Sequence, residues 1–199
     1  MRQKQSLIAG IDFGSKTAGT TVICVGSNIN NLQFLLAPKK TNADDFIIEH
    51  ITLLKPDVCF IDAPLSLPAA LIQNTGNGDY LYRLCDKQTN ALSPLFLGTY
   101  AARAIQLKKW LQNTVELIET YPSELLKELN LASYYNKKDK QPSETLINAL
   151  NQITGAHFTV AHFPTMHHFD ALLCWLSARR FKQNKHKTYG NAQEGLILV

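Results

Sequence analysis

Four carboxylates stand where an acid is costly unless it serves something. Asp12 follows the apolar run Leu7-Ile8-Ala9 inside GIDFGSKTAG, residues 10–19, with a glycine on either side. Asp62 follows the apolar residues 58–61 in FIDAP, and Glu119 closes VELIET just before Tyr121-Pro122. An ionised carboxylate in an apolar interior needs a partner. Each of the three sits at the C-terminal end of a run that reads as a strand. Strand-end acids that converge repel one another and favour a hard divalent cation with oxygen ligands, Mg²⁺ or Mn²⁺. Two such ions stabilise the attacking and leaving oxygens when a phosphodiester is hydrolysed. Asp170, in HFDALLCW, is the fourth candidate: it borders the inward stripe of a helix beside Cys174 and Ser177. It has no Lys or Arg three or four residues away, and His167 is its nearest polar neighbour. Asp12, Asp62, Glu119 and Asp170 are therefore the expected catalytic and metal-holding residues. Any one of them alone reads equally well as a turn or cap residue. The repeated hydrophobic-Asp-small pattern of IDFG and IDAP favours the functional reading for that pair.

The elements that must position these acids follow from periodicity. Residues 7–13, 20–26 and 32–37 read as strands joined by short turns, an antiparallel meander. Residues 43–55 form a helix with Asn42 as cap, Asp44 and Asp45 in its first turn, and Ile47, Ile48, Ile51 and Leu54 as its stripe; Pro56 ends it. A buried strand spans 58–61. From 66 to 98 the pattern loosens around Pro68, Gly76, Gly78, Pro94 and Gly98, which reads as an insertion or lid carrying Arg83 and Asp86. Then come a helix over 99–112, a fifth strand over 115–120 and helices over 123–129, 144–153 and 166–182. GLILV closes the chain. The expected fold is α/β and ribonuclease-H-like: a single domain, 1–199, whose mixed five-stranded sheet has three antiparallel strands and then parallel ones, flanked by helices. Open α/β sheets bind ligands at the C-terminal edge of their strands.

The 199 residues suffice for one full core. With 20 Lys and Arg against 16 Asp and Glu, the net charge of +4 permits an anionic partner without demanding one. The four cysteines are scattered with no CxxC pair, as in a reduced cytosolic protein. Arg2 and Lys4 open the chain, but Asp12 cuts the apolar stretch too early for a signal peptide. No segment is long enough for a membrane span, so a cytoplasmic protein with no evident obligate protein partner is expected. Lys137, Lys138 and Lys140, with Arg179, Arg180, Lys182, Lys185 and Lys187, form two basic segments that would contact phosphates beside a metal site. Tyr134, Tyr135 and Tyr189 are candidates for base stacking. His157, His162, His167 and His168 cross element boundaries without cysteine partners, which argues against zinc.

Taken in order, GIDFGSKTAG, FIDAPLSLP, RLCD, IETYPSELL, HFDALLCWLSARR and YGNAQEGLI resemble the domain of unknown function 429, a family of ribonuclease-H-like predicted nucleases. The resemblance spans nearly the whole chain. It implies an acidic cluster at Asp12, Asp62, Glu119 and Asp170, places Arg83 and Asp86 in the R-x-x-D piece, and puts Glu194 in the closing Glu-Gly. A second acid three residues into the last helix, found in resolvase-like relatives, is Leu173 here. The leading expectation is a metal-dependent nuclease with Asp12 and Asp62 holding Mg²⁺ or Mn²⁺. The other substrate contacts would come from Arg83, Asp86, Lys137, Lys138, Arg179 and Arg180. Two alternatives stand beside it: a non-catalytic nucleic-acid-binding or scaffold module, and an actin-like ATPase relative suggested by Asp12, Gly14 and Gly19.

Overall fold

The computed structural model describes residues 6–73 and 78–199; Arg2, Lys4 and Gly76 lie outside the described residues. Strands β1 (Ile8–Asp12), β2 (Val22–Asn28) and β3 (Asn31–Leu36) form the antiparallel meander. Helix α1 (Ala43–Leu54) crosses over to β4 (Val58–Ile61), which lies parallel to β1. Asn42 caps α1 by accepting the Asp44 N–H, and Lys55 ends it in the left-handed conformation ahead of Pro56. Strand β5 (Leu117–Glu119) pairs parallel to β4, giving the order β3-β2-β1-β4-β5. This is the mixed sheet of a ribonuclease-H-like fold, with β1 at its centre.

Side chains alternate across a strand with period two, so each central strand feeds two cores. Ala9, Ile11, Cys59 and Ile61 pack with Ile47 and Ile51 of α1 and with Ala104, Leu107 and Leu111 of α5 (Thr99–Leu111). Ile8, Val58 and Phe60 belong to the opposite core, built on α8 (Met166–Lys182) with α6 (Pro122–Glu128) and α7 (Glu144–Thr154).

Helix α8 is buried around almost its whole circumference, because it is sandwiched between the sheet and this outer layer. Its large stripe does not face the sheet. Phe169 meets Phe163 edge to face and stacks with Tyr135, and Leu176 lies with Leu129 and Ile153. The smaller residues Ala171 and Cys174 face β1 instead, and Gly10 is what lets them come so close: a Cβ there would lie 2.1 Å from the Trp175 backbone nitrogen. The Trp175 indole N–H then reaches across to the Gly26 carbonyl of β2.

The insertion after β4 contains α2 (Ala69–Gln73), α3 (Leu84–Thr89) and α4 (Pro94–Leu97). The closing GLILV is β7 (Gly195–Leu198), which pairs with β6 (Thr188–Asn191) in a hairpin rather than joining the main sheet. That hairpin clasps the insertion. Glu194 accepts the Leu84 N–H at 2.8 Å and the Ala69 N–H at 3.3 Å, and Gln88 accepts the Gly190 N–H at 2.6 Å. Glu194 thus holds two helix starts, which accounts for its place in the chain without a role in chemistry.

Candidate active site

Strand register decides which acids meet. Ile11, Ile61 and Glu119 stand opposite one another across β1, β4 and β5. One residue further the ladder continues: the Asp62 N–H donates to the Ile11 carbonyl at 3.0 Å, and the Thr120 N–H to the Ile61 carbonyl at 2.9 Å. Asp12, Asp62 and Thr120 therefore form the next row, on the α8 face of the sheet. Thr120 bonds the Ser177 hydroxyl of α8 at 2.9 Å. Asp170 lies seven residues before Ser177, two helical turns away on the same face. The helix thus carries Asp170 to the Asp12 and Asp62 end of the row.

Two acids of this trio are hydrogen-bonded by different side chains. The His167 ring donates from Nδ1 to Asp12 Oδ2 at 2.7 Å, and Asp12 is only 6% exposed. The Tyr135 hydroxyl lies 2.8 and 3.1 Å from the two oxygens of Asp170, which is 2% exposed. Burial, and then the Asp12 carboxylate, push Asp62 up to about 8; Lys137 pulls the other way. Burial and Asp12 likewise raise Asp170, against the Tyr135 hydrogen bond and Lys137. Burial alone would lower the Lys137 ammonium, but Asp62, Asp170 and Asp12 outweigh it and raise it. His167 is raised by its bond to Asp12. The site is a knot of repelling carboxylates balanced by one lysine and one histidine.

These shifts set a pH dependence. Between about 4 and about 8 the folded chain keeps a proton on Asp62 that the unfolded chain has lost, so stability falls as pH rises through that window. His167 acts in the same direction, since a raised histidine stabilises below its unfolded value and that stabilisation fades as pH climbs. In chelator-containing buffer the melting temperature is expected to drop from pH 5 to pH 8, and Asp62→Asn to flatten the slope. An unchanged slope in that variant would place the repulsion elsewhere.

Glu119 does not join the trio. Its position one register step away turns it to the opposite face, where Arg83 meets it with Nη1 and Nη2 at 2.7 Å each. The same guanidinium binds Asp86 at 2.6 Å and the Ser66 hydroxyl at 2.8 Å, and Glu119 also accepts the Leu65 N–H. Arg83, fully buried, and Asp86 are therefore occupied within the protein rather than presented to a substrate. They brace the segment 62–66 from which Asp62 projects. Arg179 and Arg180 are likewise not brought to the acids. Nine and ten residues beyond Asp170, they lie about 13–15 Å along α8, past Trp175 toward the other end of β1. There Arg179 packs on the Trp175 ring and Arg180 lies beside Leu129 and Ile153. Lys138 is exposed on the loop, its N–H bonded to Asn136. Of the expected substrate-binding residues, only Lys137 reaches the acidic row. Tyr189 is bonded to Glu128 and Tyr134 is exposed, whereas Tyr135 serves Asp170.

Two supporting residues carried no local signal in the sequence. The Tyr100 hydroxyl donates to the carbonyls of Phe13 and Asp62, tying the ends of β1 and β4 together. Arg103 bonds Asp44 at 2.6 Å and the Gly14 carbonyl at 3.2 Å, and its guanidinium lies over the Phe13 ring. Both come from α5, and only the folded chain brings that helix beneath the strand ends. The glycine hairpin after Asp12 is not arranged as a phosphate cradle. The Gly14 and Ser15 amides donate to the hydroxyls of Thr21 and Thr20.

Carboxylate oxygens are the donors that hard divalent cations take, so Asp12, Asp62 and Asp170 suit Mg²⁺ or Mn²⁺ in kind. Among the described residues no three His, Cys, Asp or Glu side chains stand close enough to hold a metal ion, and the balancing charge comes from Lys137 and His167. Among the described residues, too, no helix is long and apolar enough to cross a membrane.

No family model matches the chain, and no curated protein matches it. Among solved structures it is similar to RuvC of Thermus thermophilus, at 13% sequence identity and a TM-score of 0.48, covering 92% of this chain and 98% of that one.

Proposed function

We propose that this chain is a divalent-metal-dependent phosphodiesterase acting on nucleic acid, with Asp12, Asp62 and Asp170 as its metal-holding and catalytic acids. The observation that carries the reading is that Asp12 and Asp62 end paired strands on the sheet face toward which α8 turns Asp170, all three buried, with Asp12 raising both Asp62 and Asp170. A bound divalent ion would supply Lewis-acid polarisation of the phosphate and an activated water. Lys137, the cation already drawn to the row, is the phosphate contact. His167 orients Asp12, Tyr135 orients Asp170, and Glu119 acts through Arg83 to hold the Asp62 segment. The segments quoted above are what favours placing the chain in the domain of unknown function 429 family.

The test needs no substrate at first. Mn²⁺ at ten times its dissociation constant is expected to stabilise the wild type by about 1.4 kcal/mol, a rise of about 3–6 °C for a chain of this length. Asp12→Asn is expected to lose most of that rise. Wild-type and variant proteins that both ignore Mn²⁺, with no cleavage of DNA or RNA, would leave the acids as structural groups and the chain as a binding or scaffold module.

A further inference from the structure

Asp62 and Lys137 also border a cavity of about 530 Å³, within the range that holds small organic ligands. Pro64 after β4, Leu92 and Leu97 of the insertion, Tyr100 of α5 and Tyr121 at the start of α6 make its walls largely apolar and aromatic. Arg83 and Glu119 reach it too, but as a pair whose charged atoms already satisfy one another. The Thr120 hydroxyl is engaged with Ser177, and that of Tyr100 with the backbone. What remains to meet a guest is the Lys137 ammonium with the Ser123 and Tyr121 hydroxyls, beside Asp62.

A recess with aromatic walls and one ammonium at its acidic edge fits a flat, mostly uncharged ring that carries an anion. A nucleobase attached to its phosphate has that chemistry. A base within a continuous duplex is stacked and paired on all sides and cannot enter a concave site; a single-stranded or extruded base can. Resting on the phosphodiesterase reading, we infer that the cavity receives an unpaired nucleobase next to the phosphodiester held at the acidic row. The substrate class is then single-stranded nucleic acid, or a duplex with an extruded nucleotide, and the insertion is the element that selects it.

The experiment uses a short single strand carrying 2-aminopurine, and the same strand within a duplex, with the Asp12→Asn protein so that binding is read without turnover. Entry of the base into the cavity is expected to change the fluorescence of the single strand and to leave that of the already quenched duplex unchanged. Ser123→Leu adds aliphatic bulk to the cavity from a half-buried position without a side-chain cap, so the fold should tolerate it. It is expected to weaken binding of the single strand about 5- to 150-fold, the range of one lost stacking contact. Lys137→Ala, at an exposed position, is expected to lower the salt slope of binding by about one. A single strand whose fluorescence does not change on binding, or a Ser123→Leu protein that binds as well as its parent, would overturn the inference. If wild type cleaves duplex with Mn²⁺ while no base enters the cavity, this inference falls and the phosphodiesterase reading stands. If the base binds yet Mn²⁺ supports no cleavage of any nucleic acid, the cavity assignment stands and that reading falls.

Discussion

Arg83→Ala is expected to lower stability by about 3–5 kcal/mol, the cost of leaving buried carboxylates without their cation. For a chain of this length that is a fall in melting temperature of about 6–20 °C. Arg83 is fully buried, and its guanidinium serves Glu119, Asp86 and Ser66 at once. Removing it strands two acids and frees the segment that carries Asp62. Arg83→Lys keeps the charge but not the planar fork that meets two carboxylates, so it is expected to recover only part of the loss. A melt of either variant within 2 °C of wild type would show that the network is not what holds the insertion to the sheet. The measurement also separates Glu119 from the other acids: Glu119→Gln is expected to destabilise, because it weakens the Arg83 network.

Asp62→Asn is expected to do the opposite to stability and far more to activity. Burial and the neighbouring Asp12 carboxylate hold Asp62 at about 8, so at pH 8 the neutral amide relieves repulsion. The metal-free variant is expected to melt at or above the wild-type temperature. Its Mn²⁺-dependent cleavage is expected to fall by about 10²–10³-fold, since a metal ion contributes several kcal/mol of transition-state stabilisation and each 1.36 kcal/mol is a factor of ten. A gain in stability coupled to a loss of activity is the mark of an acid kept for chemistry. A variant that melts lower and cleaves normally would assign Asp62 to the fold instead.

The ladder of strands was legible because it is local. Each strand is a short apolar run bounded by turn residues, and the caps at Asn42 and Ser143 sit where their side chains accept the first helical amides. The crossover after β3 could be recognised from its single helix, and parallel pairing of β1, β4 and β5 followed. The faces of α8 were not legible from its stripe. A helix covered on both sides has no unique apolar face, and close approach at Gly10 selected the small residues for the sheet. The C-terminal hairpin was not read from the sequence: GLILV stood only as the apolar close of the chain, and TYGN lacks the apolar run that would have announced a strand.

Residue type and local spacing alone thus determined that this chain has a mixed α/β sheet with Asp12 and Asp62 each at the end of a strand. These are statements about a few consecutive residues, and hydrophobic period and turn chemistry suffice for them. Only the tertiary structure decided which acids share a face. A one-residue step in strand register sends Glu119 to Arg83 and leaves Thr120 in the acidic row, and a strand end read from sequence is uncertain by more than that step. Only the tertiary structure, likewise, brought Lys137 to the acids and left Arg179 and Arg180 at the far end of α8. Charge in a sequence has no position until the helix that bears it is packed against the sheet.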